Sequence, residues 1–401
     1  MLFKTLVILV QLLVFSDVAK ADSLGNTKVI SVGKDIYNTT LANKFWSNIK
    51  YYSDDIVILE VPEDQLSQIS LVAHRKFNRC GGFVLESTID EALNNLLTIN
   101  SKQHDQNIIN YSIDNEELVK SKMRLVSESR LYNHIQTISS FRNRYYKTSQ
   151  GVASQNWVYD QWKEIAGERS DISVAYFNHS RYPQPSVIAT VRGTDFPDEY
   201  IIIGGHGDSI AGWYPSENTL APGADDNSSG IAVLTEVFRV LTSKNFRPQR
   251  SIQFISYAAE EVGLRGSNEI ANQYKEQQKD IKGVMQLDMT NFHGNEFDIV
   301  LIGDYTSSPQ NEFVKELITF YLPEIKWTQD QCGYACSDHV SWYRAGYPVS
   351  FPFESNFATY NKKIHTADDT LETMNQSTKH SIPFAKLALA YAIEMLIVGN
   401  S

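Results

Sequence analysis

In "RSIQFISYAAEEVGLRGS" (Arg250–Ser267), an apolar run stops on two adjacent carboxylates, Glu260 and Glu261. The run reads as a buried strand, and the residues after the glutamates as a turn leading into a helix. Like charges repel, and burying either one unpaired is costly. The stretch therefore predicts something positive at the end of a buried strand.

The same rhythm extends on both sides. "PSVIATVRGT", "EYIIIGGHGD", "GVMQLDMT", "FDIVLIGDY" and "YPVSFPFES" read as further strands. "ELVKSKMRLVSESRLYNHIQTISSF" reads as one helix, and "SSGIAVLTEVFRVLTSK" as another whose leading serines suit an N-cap. "RGSNEIANQYKEQQK", "SPQNEFVKELITFYL" and "SIPFAKLALAYAIEMLIV" complete the helices. Continuously apolar strands alternating with helices predict an α/β fold, with a mixed, largely parallel central sheet and helices on both faces.

The N-terminus has a different character. "MLFKTLVILVQLLVFSDVAKADS" carries Lys4, an apolar run from Leu6 to Phe15 and an Ala19-Lys20-Ala21 cleavage pattern. It reads as a signal peptide over residues 1–21, which predicts a secreted protein. Its apolar run is short for a bilayer core of about 30 Å, and no other segment reads as transmembrane, so no membrane partner is expected once it is removed. Residues 22–108 read as a separate small α+β unit, a propeptide with an approximate boundary, and residues 109–401 as the main domain. Within the former, "IVILEVPEDQLSQISLVAH" gives a strand then a helix, and "STIDEALNNLL" a second helix; "NSKQHDQNIINYSIDNEE" reads as a linker.

The chain has 401 residues and a formal net charge of -11, which disfavours sequence-independent nucleic-acid binding. Of its three cysteines, Cys332 and Cys336 are close enough to bridge a tight turn. Two thiols alone make an incomplete structural zinc site, so a disulfide is expected in an oxidising compartment and Cys80 is left over.

Function in such sheets gathers beyond the C-terminal strand ends. His206 and Asp208 end "IIIGGHGD"; Asp225 and Asp226 lie in "APGADDNSSG"; Glu260 and Glu261 follow the central run; Asp288 ends "VMQLDMT". These donors suit Zn2+ or a similar divalent ion, with a bridging carboxylate if two ions lie together. One glutamate would bind metal and the other handle a proton. Read from the residues alone, His365 in "NKKIHTADDT" and His339 in "CSDHVSW" compete as the last ligand.

"IIIGGHGDS", "APGADDNSSG", "RSIQFISYAAEEVGLRGS", "QLDMT", "CGYACSDHVSW", "PFES" and "IHTADDT" together closely resemble the M28 family of secreted leucyl aminopeptidases, of the Vibrio and Aeromonas type, over roughly residues 109–401. The resemblance implies a zinc-exopeptidase, phosphorylase/hydrolase-like fold, two zinc ions, and a monomer acting on peptides with a free N-terminus. It implies that Asp226 bridges the ions, that Glu261 and His365 bind one, and that His206 and Asp288 bind the other. His365 is thereby preferred over His339. Glu260 matches the general base, and Asp208 the acid that orients His206. Cys332 and Cys336 match the family's short disulfide. The implied side-chain pocket comprises Met289, Ile302, Tyr334, Phe351, Phe353, Phe357, Tyr360 and Ile364, alongside the two cysteines. Asn227 and Phe351 depart from the family pattern, which has a third Asp and a Met there. Alternatives are a glutaminyl cyclase or a carboxypeptidase on the same fold, and a non-catalytic binding domain, the last disfavoured because every implied ligand and the base are present.

Overall fold

The computed structural model describes residues 27–40, 48–53, 55–79, 82–99, 109, 111–212 and 215–397. The expected signal peptide, Cys80 and most of the expected linker lie outside them.

The N-terminal unit contains β1 (Thr27–Gly33), β2 (Asn48–Tyr52), β3 (Ile56–Pro62) and β4 (Phe83–Glu86), all antiparallel, in the order β2-β3-β1-β4. Helices Leu66–Val72 and Ile89–Ile99 accompany them. Ile30, Val32, Val57, Leu59, Leu66 and Ile69 form a core of its own.

The rest of the chain adds β5 (Ile172–Phe177), β6 (Ser186–Val191), β7 (Phe196–His206), β8 (Arg250–Tyr257), β9 (Asp280–Gln286), β10 (Ile299–Ile302), β11 (Trp327–Asp330) and β12 (Val349–Phe353). They form one sheet, ordered β11-β10-β12-β9-β7-β8-β6-β5. The central run β12-β9-β7-β8 is parallel, and antiparallel pairing begins at β6 on one side and β10 on the other. The sheet is mixed and largely parallel, as the strand patterns predict.

Successive residues of a strand face opposite sides. Ile201 and Ile203 join a core with helices Ser228–Thr242 and Ser381–Leu396, while Ile202 packs on the other face with Ile270, Ala271 and Trp342. A strand covered on both sides has no polar face to show, which is why β7 carries the unbroken apolar run Ile201-Ile202-Ile203 and β8 has no regular apolar–polar alternation.

Three local expectations change. The expected helix over 117–141 is two, Glu116–Met123 and Glu128–Ile138. It breaks where Glu236 accepts from the Ser127 amide at 2.8 Å and Arg239 donates to the Leu125 carbonyl at 2.8 Å. The helix Ser149–Ala166 was not anticipated, because Ser154 and Gln155 occupy buried positions on it. The helix at 228–242 is capped by Asn227 rather than by its serines: Asn227 Oδ1 accepts from the Gly230 amide at 2.9 Å. Asn227 Nδ2 also donates to the Leu287 carbonyl at 3.0 Å, which an ionised Asp at this position has no proton to do.

Candidate metal centre and active site

Three neighbouring parallel strands deliver the site. β7 ends on His206, the turn after β8 carries Glu260 and Glu261, and the chain leaving β9 carries Asp288. Gly205 lets β7 lie close, because a Cβ there would stand 2.5 Å from the Leu287 carbonyl oxygen. Asp226 comes from the loop before the helix at 228–242, and His365 from the loop after β12. Ala259, Met289 and His365 hold φ of 56°, 56° and 58°, left-handed backbone at or next to a site residue. Such conformations cost about 1–3 kcal/mol each and persist where the surroundings over-determine them.

The donors form two groups that meet at Asp226. His206 Nε2 lies 3.0 Å from Asp226 Oδ1 and 3.4 Å from Asp288 Oδ1. His365 Nε2 lies 3.0 Å from Asp226 Oδ2 and 3.1 Å from Glu261 Oε2. Asp226 thus turns one oxygen to each group. Ligands about 2.0–2.1 Å from a tetrahedral ion stand about 3.3 Å apart, so these separations suit a divalent ion in each group. The side chains of His206, Asp226, Glu261, Asp288 and His365 are at most 2% exposed. Among the described residues, His206 Nε2, Asp288 Oδ1, Glu261 Oε2 and both oxygens of Glu260 lack a hydrogen-bond partner. Buried polar atoms left so are rare and costly unless something else engages them. The donor set therefore fits a pair of cations.

The electrostatics agree. Burial alone would raise Asp226, but the His206 and His365 rings outweigh it and hold the carboxyl well below its usual range. Burial also opposes a charged His365, yet Glu261 and Asp226 raise that ring to about 10. Glu260 is pushed well above the usual carboxylate range by burial, against the pull of His206 and with Asp338, Glu261 and Asp288 adding to the rise.

Asp208 holds the turn and faces the histidine. Its two oxygens accept from the Glu260 amide at 3.0 Å and the Glu261 amide at 3.2 Å, and Oδ1 lies 3.4 Å from His206 Nδ1. Ser337 donates to Asp288 at 2.6 Å. Asp369 accepts from the amides of Asp225 and Asp226 at 3.1 and 3.0 Å. Asp225 points away from the metal groups and accepts from the Asn361 side chain at 3.1 Å. His339 lies outside both groups; its Nε2 contacts the Asp304 carbonyl at 3.1 Å and its ring packs 4.7 Å from that of Phe351.

Met289, Tyr334, Cys336, Phe351, Phe353, Phe357, Tyr360 and Ile364 line a pocket beside Asp288, while Ile302 packs behind it in the same cluster. The cavity left is only about 10 Å3, and Asn78 of the N-terminal unit lines it too. The sulfurs of Cys332 and Cys336 are bonded, with Cα atoms 6.4 Å apart.

Sequence reasoning missed two residues. Arg144 lies fully buried beneath the site, its Nε donating to the Gly207 carbonyl at 2.9 Å and Nη2 to that of Gly223 at 3.0 Å. His74 comes from the N-terminal unit, its Nε2 3.2 Å from Glu261 Oε2. Nothing in "VAHRKF" or "FRNRYY" announces either role; the short polar spacing around Arg144 is the nearest thing to a signal.

Residues 186–390 match the family model described as Peptidase family M28, a span that holds all five candidate ligands and Glu260. A probable aminopeptidase of Saccharomyces cerevisiae is 32% identical over 362 residues, covering 87% of this chain and 94% of its own. Leucine aminopeptidase 1 of Pyrenophora teres f. teres is 38% identical over 292 residues, 70% of this chain and 71% of its own. The crystal structure of LapB from Legionella pneumophila superposes with a TM-score of 0.80 at 31% identity, covering 92% of this chain and all (100%) of LapB. By sequence, fold and the span that carries its donors, the chain belongs to peptidase family M28.

Proposed function

We propose that this chain, a hydrolase of the metalloaminopeptidase class, releases apolar N-terminal residues, leucine foremost, from peptides with a free N-terminus. The observation that carries the reading is the pair of donor groups sharing Asp226, with the Glu260 carboxylate beside them and without a hydrogen-bond partner among the described residues. Asp226 would bridge two zinc ions, Glu261 and His365 holding one, His206 and Asp288 the other. Bound there, the pair would supply Lewis acidity and a nucleophile at neutral pH.

Glu260 serves as general base and then acid. Its raised proton affinity suits taking a proton from the attacking water and returning it to the leaving amine. Asp208 keeps His206 in one orientation and fixes the turn that presents Glu260. The apolar, aromatic pocket selects the first side chain, and no Lys or Arg lines it to anchor a substrate carboxylate, which speaks against a carboxypeptidase. Two donor groups rather than one speak against a single-zinc cyclase.

The same reading takes residues 1–21 as a signal peptide, 22–108 as a propeptide and 109–401 as the secreted, monomeric enzyme of the type known from Vibrio and Aeromonas. None of the described helices is long and apolar enough to cross a membrane. The test is leucine-p-nitroanilide hydrolysis by the processed protein, before chelation, after it, and with zinc restored. Zinc-dependent release, lost when the substrate is N-acetylated, is the expected result. Inactivity with two zinc ions bound would overturn the proposal.

A further inference from the structure

We propose that His74, carried by the N-terminal unit, is a protein ligand to the metal ion held by Glu261 and His365, so that metal loading and docking of that unit reinforce each other. The inference rests on the two-metal reading above.

His74 sits on a π-helical turn, Ala73–Phe77, that continues the helix Leu66–Val72. Its ring is packed 4.1 Å from that of His365. One ligand atom from each of His74, Glu261 and His365 falls within 4.8 Å of the others, the same closeness that gathers His206, Asp226 and Asp288. The residue is 4% exposed, and neither ring nitrogen has a hydrogen-bond partner among the described residues. A buried imidazole whose Nε2 faces only the Glu261 carboxylate, without hydrogen-bond geometry, is a costly arrangement for mere packing. An ion between the three side chains would engage it.

The surrounding contacts hold the ring in place. Ser70 Oγ donates to the Glu261 carbonyl at 2.5 Å. Tyr360 donates to the Asn78 carbonyl, and the Arg79 guanidinium lies 4.9 Å from the Tyr334 ring centre. Gly263 is bare against Phe83, whose ring would stand 2.5 Å from an added Cβ. The chain from Ser70 to Arg79 thus crosses the site with His74 aimed into it.

The coordination count gives this a consequence. Asp226, Glu261, His365 and His74 make four N/O donors, the closed tetrahedral set of a structural zinc site, whereas a catalytic zinc keeps a position open. His206, Asp226 and Asp288 make only three. With metal bound, the docked unit would thus complete the donor set of the Glu261 and His365 group and leave the His206 and Asp288 group with three protein donors.

The test uses the full chain loaded with Co2+, whose visible absorption reports its ligands, and compares wild type with His74→Ala. The variant should keep two ions, show a changed cobalt spectrum, and lose one ion to a chelator at least about tenfold faster, the lower end of what even an indirect partner contributes to metal affinity. Ser70→Ala, which weakens docking without removing a donor, should leave the spectrum unchanged. Two bound ions with an identical spectrum and release rate in His74→Ala would overturn the inference while leaving the two-metal reading intact. Fewer than two ions in the wild type would overturn both. Should His74→Ala fail to fold, the wild type alone suffices: metal loading should slow amide exchange over residues 66–77, and unchanged exchange there would overturn the inference.

Discussion

β7, β8 and β9 carry charge at both ends, and the two ends manage it differently. At their starts, acids and bases pair across and along strands: Arg250 of β8 with Glu199 of β7 at 2.5 Å, and Lys282 with Asp280 within β9 at 2.9 Å. These side chains are 18–52% exposed, so water shares the work. At the other end, Asp208, Glu260, Glu261 and Asp288 gather with their histidine neighbours and are almost wholly buried. Charge at the starts is balanced within the protein. At the far end acids outnumber bases among buried side chains, a charge pattern that a bound cation would balance.

The largest effect expected from breaking this contrast is on catalysis. Glu260→Gln should lower turnover by about 10^2–10^4-fold while two zinc ions remain bound, as read by kinetics alongside metal analysis. Loss of metal instead would move Glu260 into the ligand set. Next comes removal of the cation itself. Chelation should lower the unfolding free energy by about 4 kcal/mol for each ion removed, relative to protein at a thousandfold excess of metal over its dissociation constant, measured by urea titration. An equal loss on chelating a variant with Asp226→Asn would show that the ions are held elsewhere.

A buried base near the same end sharpens the comparison through pH. Burial lowers His339 from 6.5 to about 3, although the Asp304 carbonyl favours its protonated form. Its Nδ1 has no partner among the described residues to receive a second proton's hydrogen bond. The folded state keeps this ring neutral while the unfolded chain protonates it below its ordinary value. Stability from this residue is thus complete above pH 6.5 and falls as pH drops toward 3, by about 1.4 kcal/mol per unit. His339→Gln should flatten that slope in urea midpoints between pH 6 and 4; an unchanged slope would remove His339 from the account. The smallest effect belongs to the solvated end: Lys282→Gln should change stability by less than about 1 kcal/mol. A larger loss would mean that this end depends on fixed pairs after all.

How much of this is legible in sequence follows from where each signal is written. β7, β8 and β9 are readable because both faces are buried. β5 alternates buried and exposed residues, and β11 is "WTQD", four partly exposed residues, so neither gives a run to detect. The helix at 149–166 hides because Gln155 docks through hydrogen bonds, to the Tyr257 carbonyl at 3.2 Å and from Ser256 at 2.9 Å, where an apolar residue would have betrayed it. The strand-end donors are legible by position, and the resemblance chose His365 over His339. His365 lies beside Asp226 and Glu261, and His339 lies outside both donor groups. His74 is illegible because its surroundings come from a separate unit: the neighbouring Ser70 meets Glu261 across 191 positions of sequence. The left-handed backbone at Ala259, Met289 and His365 likewise falls on residues with no glycine to announce it.

The parallel register around β7 has a last consequence. β8 and β9 flank it on either side, with His206 level with Tyr257 of β8 and Gly204 with Gln286 of β9. Neighbouring strands lie about 4.8 Å apart, so residues leaving the sheet from these three rows arrive side by side at a spacing close to the width of a coordination sphere. The sheet acts as a ruler, and the donors inherit its graduation. A slip of β7 by one residue would shift His206 by about 3.3 Å and turn it to the opposite face, dismantling the donor group it shares with Asp226 and Asp288 while leaving every residue in that group unchanged.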